Sequence, residues 1–374
     1  MPRYKFSELA YNINQKKMPE PGDEEMYIGL EHLDSGSLSV KRWGSDVPIT
    51  GEKLVMKKGD ILFGRRNTYL RRAAIAPHNG IFSAHGMIFR PNTEVMDPDY
   101  FPFFIASDYF MNAAIRISVG SLSPTVNWKT LKDLEFDVPD LDSQRKSAEL
   151  LTAANELKES YEKLLVKTDE LVKSQFIEMF SGKGYPEMLL SEVCIKITDG
   201  THKTPNYLDE GITFISAKNI IDGRLNFSDI KHISESEYQE IQKRCQTEQG
   251  DVLLAKSGSL GMTAIVETDE PLGLFESLAI LKYDRALLNG VFLCRQMQSD
   301  TVQRQLMSNV KGVAVKHLHL NVIASTTIIV PLLGLQEEFC AFAEQSDKSK
   351  FEIKKSLENI QELIKSLMQQ DFTN

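Results

Sequence analysis

The sequence predicts an α+β protein in which one mixed α/β unit is used twice and the two copies are joined by two long antiparallel coiled-coil helices. Three observations carry this expectation. The second half of the 374-residue chain repeats the first about 192 positions later. Each copy closes with some forty residues almost free of proline and glycine. Upstream of these, short β-type runs alternate with turn residues and short helical stretches.

The repeat is tightest at the helices. Pro139, Leu141 and Gln144 meet Pro331, Leu333 and Gln336, and Glu170-Leu171-Val172-Lys173-Ser174 meets Glu362-Leu363-Ile364-Lys365-Ser366 without a gap. Farther upstream the match needs small gaps. There Gly59-Asp60-Ile61-Leu62 answers Gly250-Asp251-Val252-Leu253, and Ala74-Ile75 answers Ala264-Ile265. The expected order is a first mixed unit over 1–139, a helical spacer over 140–182, a second unit over 183–331 and a second spacer over 332–374.

In the units, Gly59 to Phe63, Gly250 to Leu254, Leu278 to Leu281 and Thr326 to Val330 read as strands. Pro102 to Ile115 and Val302 to Ser308 read as helices, and each sheet as curved and mostly antiparallel. In the first spacer Leu150, Ala154, Leu157, Tyr161, Leu164, Thr168 and Leu171 recur in steps of four and three, a heptad-like seam. Asp140 and Asp142 open that helix as N-terminal acids. Gly182, Gly184 and Pro186 end it. In the second spacer Ile353, Leu357, Ile360, Ile364 and Leu367 keep the same spacing. Helices of this length reach roughly 55 Å at 1.5 Å per residue. Neither can bury a long apolar stripe alone, so they are expected to pack on each other, antiparallel, in a pseudo-two-fold arrangement.

Composition is that of an ordinary soluble domain protein, with 42% hydrophobic and 25% charged residues. No apolar run approaches the ~20 residues of a membrane helix, and the N-terminus lacks an apolar signal region. A cytoplasmic protein is expected. Four scattered cysteines, all in the second half, read as free thiols. Net charge is −9, unlike a free-standing nucleic-acid binder, yet residues 1–139 balance 17 basic against 17 acidic groups. An acidic chain can still hold DNA where its cations share a face or a partner supplies charge.

Several segments carry polar chemistry. Arg65-Arg66-Asn67-Thr68-Tyr69-Leu70-Arg71-Arg72 follows a strand directly. Guanidinium groups suit phosphates and guanine edges, and a tyrosine among them can stack; the plain alternative is a solvated hairpin. The matching place in the second unit is Lys256-Ser257-Gly258-Ser259-Leu260-Gly261, one cation and small hydroxyls on a flexible loop suited to phosphate. Gly120-Ser121-Leu122-Ser123 and Lys311 to His317, including Lys316, occupy equivalent places before the last strand of each unit. Asp199-Gly200-Thr201-His202-Lys203-Thr204-Pro205 is either a ligand-facing loop or a capped turn. His317 and His319 lack carboxylate or thiol neighbours in sequence, so no metal site is expected. His85, in an apolar run, reads as a buried structural histidine. No phosphate-binding Gly-rich loop, dinucleotide fingerprint or Asn-Pro-Pro-Tyr-type stretch is present, so no catalytic residues are expected.

Taken together, these residues resemble the specificity subunit of a Type I restriction–modification enzyme. The resemblance rests on the order unit, long helix, unit, long helix, on Asp199 to Pro205, on the Gly-Asp-Ile/Val-Leu strands and on the Pro-x-Leu-x-x-Gln helix openings. It implies that each unit is a target-recognition domain reading one half of a bipartite double-stranded DNA sequence. It implies helices that set half-site separation and dock two copies of a DNA adenine methyltransferase, the modification subunit. S-adenosylmethionine would be bound by that partner, with no cofactor in this chain, and an ATP-dependent restriction subunit is a further partner of the family. The first unit has no Asp-Gly-Thr-His copy, which leaves that loop's role open there. A reader needs no catalytic residues, because base extrusion and methylation belong to the partner. Two other classes remain open: a coiled-coil scaffold with two protein-binding heads, and the specificity half of a stand-alone methyltransferase or nuclease.

Overall fold

In the computed structural model, residues 1–308 and 317–370 are described. Two compact units emerge, Met1–Leu164 with the chain from Glu352 onward, and Leu165–Phe351. Both boundaries fall inside long helices, so each unit holds part of both.

The first unit opens with β1 (Arg3–Lys5), α1 (Phe6–Leu9) and β2 (Ala10–Ile13), joined without a loop. Then come β3 (Lys16–Lys17), β4 (Tyr27–Ile28), β5 (Lys53–Met56), β6 (Ile61–Phe63), β7 (Ala73–Ile75), β8 (Gly80–Phe82) and β9 (Met87–Pro91). Three short helices, α2 (Phe101–Ala106), α3 (Asp108–Arg116) and α4 (Trp128–Leu131), precede β10 (Glu135–Asp137) and the long helix α5 (Leu141–Phe180). The second unit repeats the plan. It runs β11 (Glu187–Leu189), α6 (Leu190–Val193), β12 (Cys194–Asp199), β13 (Ile212–Ile215), β14 (Ile220–Ile221), β15 (Arg224–Leu225), β16 (Lys231–Ile233) and α7 (Glu235–Gln242). It continues with β17 (Val252–Ala255), β18 (Thr263–Ile265), β19 (Leu272–Leu274), β20 (Leu278–Tyr283), α8 (Gly290–Met297), α9 (Asp300–Ser308), α10 (Leu320–Ala324) and β21 (Thr327–Ile329). The second long helix is α11 (Leu333–Gln370).

Sheet topology makes the duplication explicit. The first unit has an antiparallel sheet of order β2-β9-β6-β7, and the second has β12-β20-β17-β18. A second sheet in each contains one parallel pair, β4 with β8 and β13 with β19. The first and last strands of each unit also pair, β1 with β10 and β11 with β21. Both units are therefore mixed α+β with mostly antiparallel sheets.

The repeated motifs have structural jobs. Gly59 and Gly250 take left-handed φ values of 88° and 91°, which turn the chain into β6 and β17. The aspartate that follows each is buried. Asp60 accepts the Lys57 backbone N–H and pairs with Arg90 at 2.6 Å; Asp251 accepts that of Glu248 and pairs with Lys282 at 2.7 Å. Glu8 and Glu192 cap their short helices alike, accepting the N–H of Lys5 and Leu189 at 2.6 and 2.7 Å.

At the long helices the copying is atom for atom. Gln144 is fully buried, donates to the carbonyls of Val95 and Pro139 at 2.9 and 2.8 Å, and accepts the Asp97 N–H at 2.8 Å. Gln336, also fully buried, donates to Leu287 and Pro331 at 2.9 and 2.8 Å and accepts from Asn289 at 2.9 Å. One amide thus ties each helix start to a loop about fifty residues back. A buried amide with three partners is satisfied, and any other side chain would orphan backbone groups.

Packing within each unit shows the helices antiparallel. In the first unit Ala148 and Leu151 of early α5 share a core with Ile364, Leu367 and Met368 of late α11. In the second, Val172 and Phe180 of late α5 meet Phe339, Cys340 and Ala343 of early α11. Lys350 also pairs with Asp169 there. On α11 the expected seam holds: Ile353 and Ile360 are buried, and Leu357, Ile364 and Leu367 are half-buried.

The α5 seam is corrected. Leu150, Leu157, Leu164 and Leu171 are 59%, 47%, 45% and 52% exposed, and Tyr161 is only half-buried. Ala154 and Thr168 of the expected seam are buried, but the packed face is otherwise Gln144, Ala148, Leu151 and Val172 rather than the leucines. The two stripes sit about one residue apart around the helix. The face with alanines wins because small side chains let another helix approach closely, and because Gln144 fixes the helix rotation at its start.

Candidate nucleic-acid interface

In the first unit the arginine loop spans the β6–β7 connection. Asn67 and Arg71 hold left-handed φ values of 55° and 50° around a tight turn at Thr68–Leu70. Non-glycine residues in that region cost free energy and persist only where the surroundings fix them. Here the loop is stitched to its neighbour: Asn67 N–H donates to Pro124 at 2.7 Å, Val126 N–H to Arg65 at 2.9 Å, and Arg66 to the Ser123 hydroxyl at 3.3 Å. Two segments singled out in the sequence, the arginine loop and the loop of Ser121 and Ser123, therefore form one surface.

Its side chains divide. Arg66 and Tyr69 are exposed, as is Ser121; Arg65, Asn67 and Arg72 are half-buried. Arg65 and Arg72 form no hydrogen bond or salt bridge through their side chains among the described residues. Arg71 is committed within the protein, to Asp108 at 2.6 Å and Asn112 at 2.5 Å. Thr68 is corrected from ligand contact to structural: it is 1% exposed, and its hydroxyl donates to the Arg65 carbonyl at 2.9 Å. His85 is also corrected. It is exposed on a turn closed by Gly86 N–H to Ser83, not buried.

The second unit uses the same stitch. Leu318 N–H donates to the Lys256 carbonyl at 2.8 Å, in the place where Val126 meets Arg65. Strand pairing puts Lys256, one residue past β17, level with Arg65, two residues past β6, and Asp199 level with Asn14. The exchange of Asn for Asp changes the chemistry. Lys256 is 2% exposed and ion-pairs with buried Asp199 at 2.5 Å, while also donating to the Glu276 carbonyl at 3.0 Å. The expectation of an outward phosphate-binding cation at Lys256 is thus corrected. A carboxylate at the end of β12 draws the ammonium inward, since a buried charge is tolerable only when paired.

Asp199 also receives His202 at 3.2 Å and Arg244. Burial works to raise its carboxyl pKa, but Lys256, Arg244 and His202 outweigh burial and the net shift is downward. His202 and Lys203 are exposed and Thr201 half-buried, held by its N–H to Leu274. Ser257 is half-buried and Ser259 exposed. His317 lies 3.9 Å from Glu276 and its ring 5.4 Å from that of His319. Burial and neighbouring Lys256 push the His317 pKa down, so its ring is neutral at pH 7. The outward face of this cluster is His202, Arg244, Ser259 and His319. Arg244, one residue past the C-cap of α7, is invisible in the sequence because only tertiary folding brings it to Asp199. Lys311 and Lys316 lie outside the described residues. No group of three or more His, Cys, Asp or Glu side chains gathers to hold a metal among the described residues.

A family model described as the Type I restriction modification DNA specificity domain matches residues 11–166. That stretch is similar to a Type I specificity domain. The specificity subunit of the Type I restriction enzyme MjaVIII from Methanocaldococcus jannaschii is 20% identical over 387 aligned positions, covering 95% of this chain and 88% of that one. The S subunit of a Type I restriction–modification system from M. genitalium has a TM-score of 0.60 at 14% identity, covering 100% of this chain and 96% of its own. A chain from a structure of complex assembly and conformational transition in the type I R-M system has a TM-score of 0.58 at 17% identity, covering 99% and 97%. At such identities the structural likeness is one of fold. The second unit repeats the order of the first unit's antiparallel four-stranded sheet. Among the described residues no helix is long and apolar enough to cross a membrane.

Proposed function

We propose that this chain is the DNA-reading specificity subunit of a Type I restriction–modification complex, with one half of a bipartite target read by each unit. The observation that carries the reading is the stitched loop pair. Each unit ends the same four-stranded sheet in a loop tied by a backbone bond to the segment before its last strand, but surrounds that loop with different side chains. The first offers Arg65, Arg66, Tyr69 and Arg72 beside Ser121 and Ser123. The second offers His202, Lys203, Arg244 and Ser259 beside His317. One scaffold with two chemistries is what a non-palindromic split sequence requires.

The chain contributes recognition and no catalysis. Methyl transfer belongs to modification subunits, two per chain, which bind S-adenosylmethionine and add cations that an acidic reader lacks. Its place of work is the prokaryotic cytoplasm, where the DNA is.

The test is methylation-aware sequencing of DNA from cells that express the chain with its modification subunit. A bipartite methylated adenine motif, absent without the chain, supports the reading. Methyl transfer or cleavage by the purified chain alone overturns the division of labour. A complex that binds no DNA in a salt titration favours the scaffold alternative.

A further inference from the structure

The serine loop of the first unit ends in an apolar point. Val119 and Thr125 pair antiparallel, each N–H donating to the other's carbonyl, at 3.1 and 2.9 Å. They close a hairpin tip that runs from Gly120 to Pro124. Gly120 turns the chain at a left-handed φ of 112°, and a Cβ there would crowd the Ser123 carbonyl at 3.3 Å. The Thr125 hydroxyl donates to that carbonyl at 2.9 Å, and the Pro124 carbonyl accepts the Asn67 N–H of the arginine loop at 2.7 Å. At the tip stands Leu122, 96% exposed. Single apolar side chains on a surface are ordinary. This one is set apart by its mounting: a fastened turn, with exposed Ser121 on one side and, on the other, Ser123 holding exposed Arg66.

We propose that Leu122 is a wedge that enters the DNA base stack in the half-site read by the first unit, and so eases extrusion of that half-site's adenine. Leucine has no group with which to read a base edge or hold a phosphate. On a face of guanidinium and hydroxyl groups its complement is the apolar interior of the duplex. Leucine is among the side chains that unstack a base step by insertion. Ser121 and Arg66 beside it hold phosphates and set the depth of entry. The fastened turn is already ordered, so insertion costs little further entropy. Extrusion of a base must supply unstacking and unpairing energy, and a mismatch lowers that cost. A wedge contributes part of the unstacking. This rests on the reading that the first unit binds DNA which the modification subunit methylates, and adds a role for this chain in the step after recognition.

The experiment uses the full chain assembled with its modification subunit, on duplexes that carry the motif found by methylation-aware sequencing. The first unit's half-site is the one that changes when residues 1–139 are exchanged. Each duplex is already methylated on one strand, leaving one adenine open, and single-turnover methylation is followed at saturating complex. Leu122→Ala is expected to slow the first unit's adenine about tenfold or more, and to leave the second unit's adenine within about twofold of wild type. A mismatch opposite the first adenine should bring the variant back to within about threefold of wild type, since pairing no longer opposes extrusion. Leu122→Met should keep most of the rate. Thermal melting should not change, because the side chain buries nothing in the protein. Ile195→Ala removes an exposed apolar side chain of the second unit and should leave both rates unaltered. Wild-type rates at both adenines in Leu122→Ala overturn the wedge. Equal loss at both half-sites does so too, as does a loss that the mismatch fails to relieve. A wild-type complex that methylates no motif instead overturns the functional reading, and this inference with it.

Discussion

At the scale of single residues, burial and partners decide which polar side chains hold the protein together and which face outward. Gln144 and Gln336 are clamps. Replacing either with alanine orphans one backbone N–H and two carbonyls, and should cost about 2–3 kcal/mol, measured by urea denaturation. A loss under about 0.5 kcal/mol, the range of an ordinary surface substitution, would show the clamp idle. Lys256 should behave as a structural cation. Lys256→Met leaves the buried Asp199 short of a partner and should destabilise the second unit by roughly 3 kcal/mol, whereas Ser259→Ala should leave melting unchanged and alter DNA binding alone. The sign of the pH dependence follows from Asp199. Its folded pKa is depressed, so its contribution is fully present above the unfolded value and is lost as pH falls through the folded one. Wild type should therefore lose a component of acid stability below about pH 4, near the unperturbed aspartate pKa, that Asp199→Asn lacks. Arg65, Arg66 and Arg72 are the cations of the arginine loop not held in an ion pair among the described residues. An arginine reading a guanine edge should cost ~1–3 kcal/mol of binding on truncation and relax preference at one position. Arg71→Ala should act chiefly on loop order, since Asp108 and Asn112 already hold that group.

At the scale of elements, the long helices show what a sequence pattern can and cannot fix. Their existence and limits were legible: α5 and α11 fall where proline and glycine are scarce, and the ungapped repeat from Pro139 and Pro331 reflects two copies of one amide clamp. The face of α11 was legible too. That of α5 was legible only at Ala154 and Thr168, because leucines every seven residues make as good a stripe as the true one, and only the rotation fixed by Gln144 selects the face that adds Ala148, Leu151 and Val172. Paired substitutions separate the faces. Ile360→Asp buries an unpaired carboxylate and should cost about 3 kcal/mol or more. Leu157→Asp keeps its charge in water and should change stability by less than about 0.5 kcal/mol. Equal, large losses in both would restore the leucine seam. The loops divide in the same way. The arginine loop and the serine loop could be picked out by composition, but their union depends on backbone bonds between residues some sixty positions apart. Lys256 was misjudged because the carboxylate that captures it lies 57 positions away.

At the scale of the whole molecule, the chain is a duplication in which different parts were held to different standards. The order of one four-stranded sheet, the capping glutamates, the strand aspartates and the helix clamps are the same in both units, so much of the fold is stabilised twice by the same interactions. The loops at the sheet ends differ in charge and hydrogen-bonding character, which is the property a split target needs. The most direct measurement is a swap of residues 1–139 for the first unit of a related specificity subunit, with the methylated motif read by methylation-aware sequencing in cells that supply the modification subunit. One half of the motif should change to that of the donor while the other half stays. A swap that altered both halves, or neither, would contradict the account.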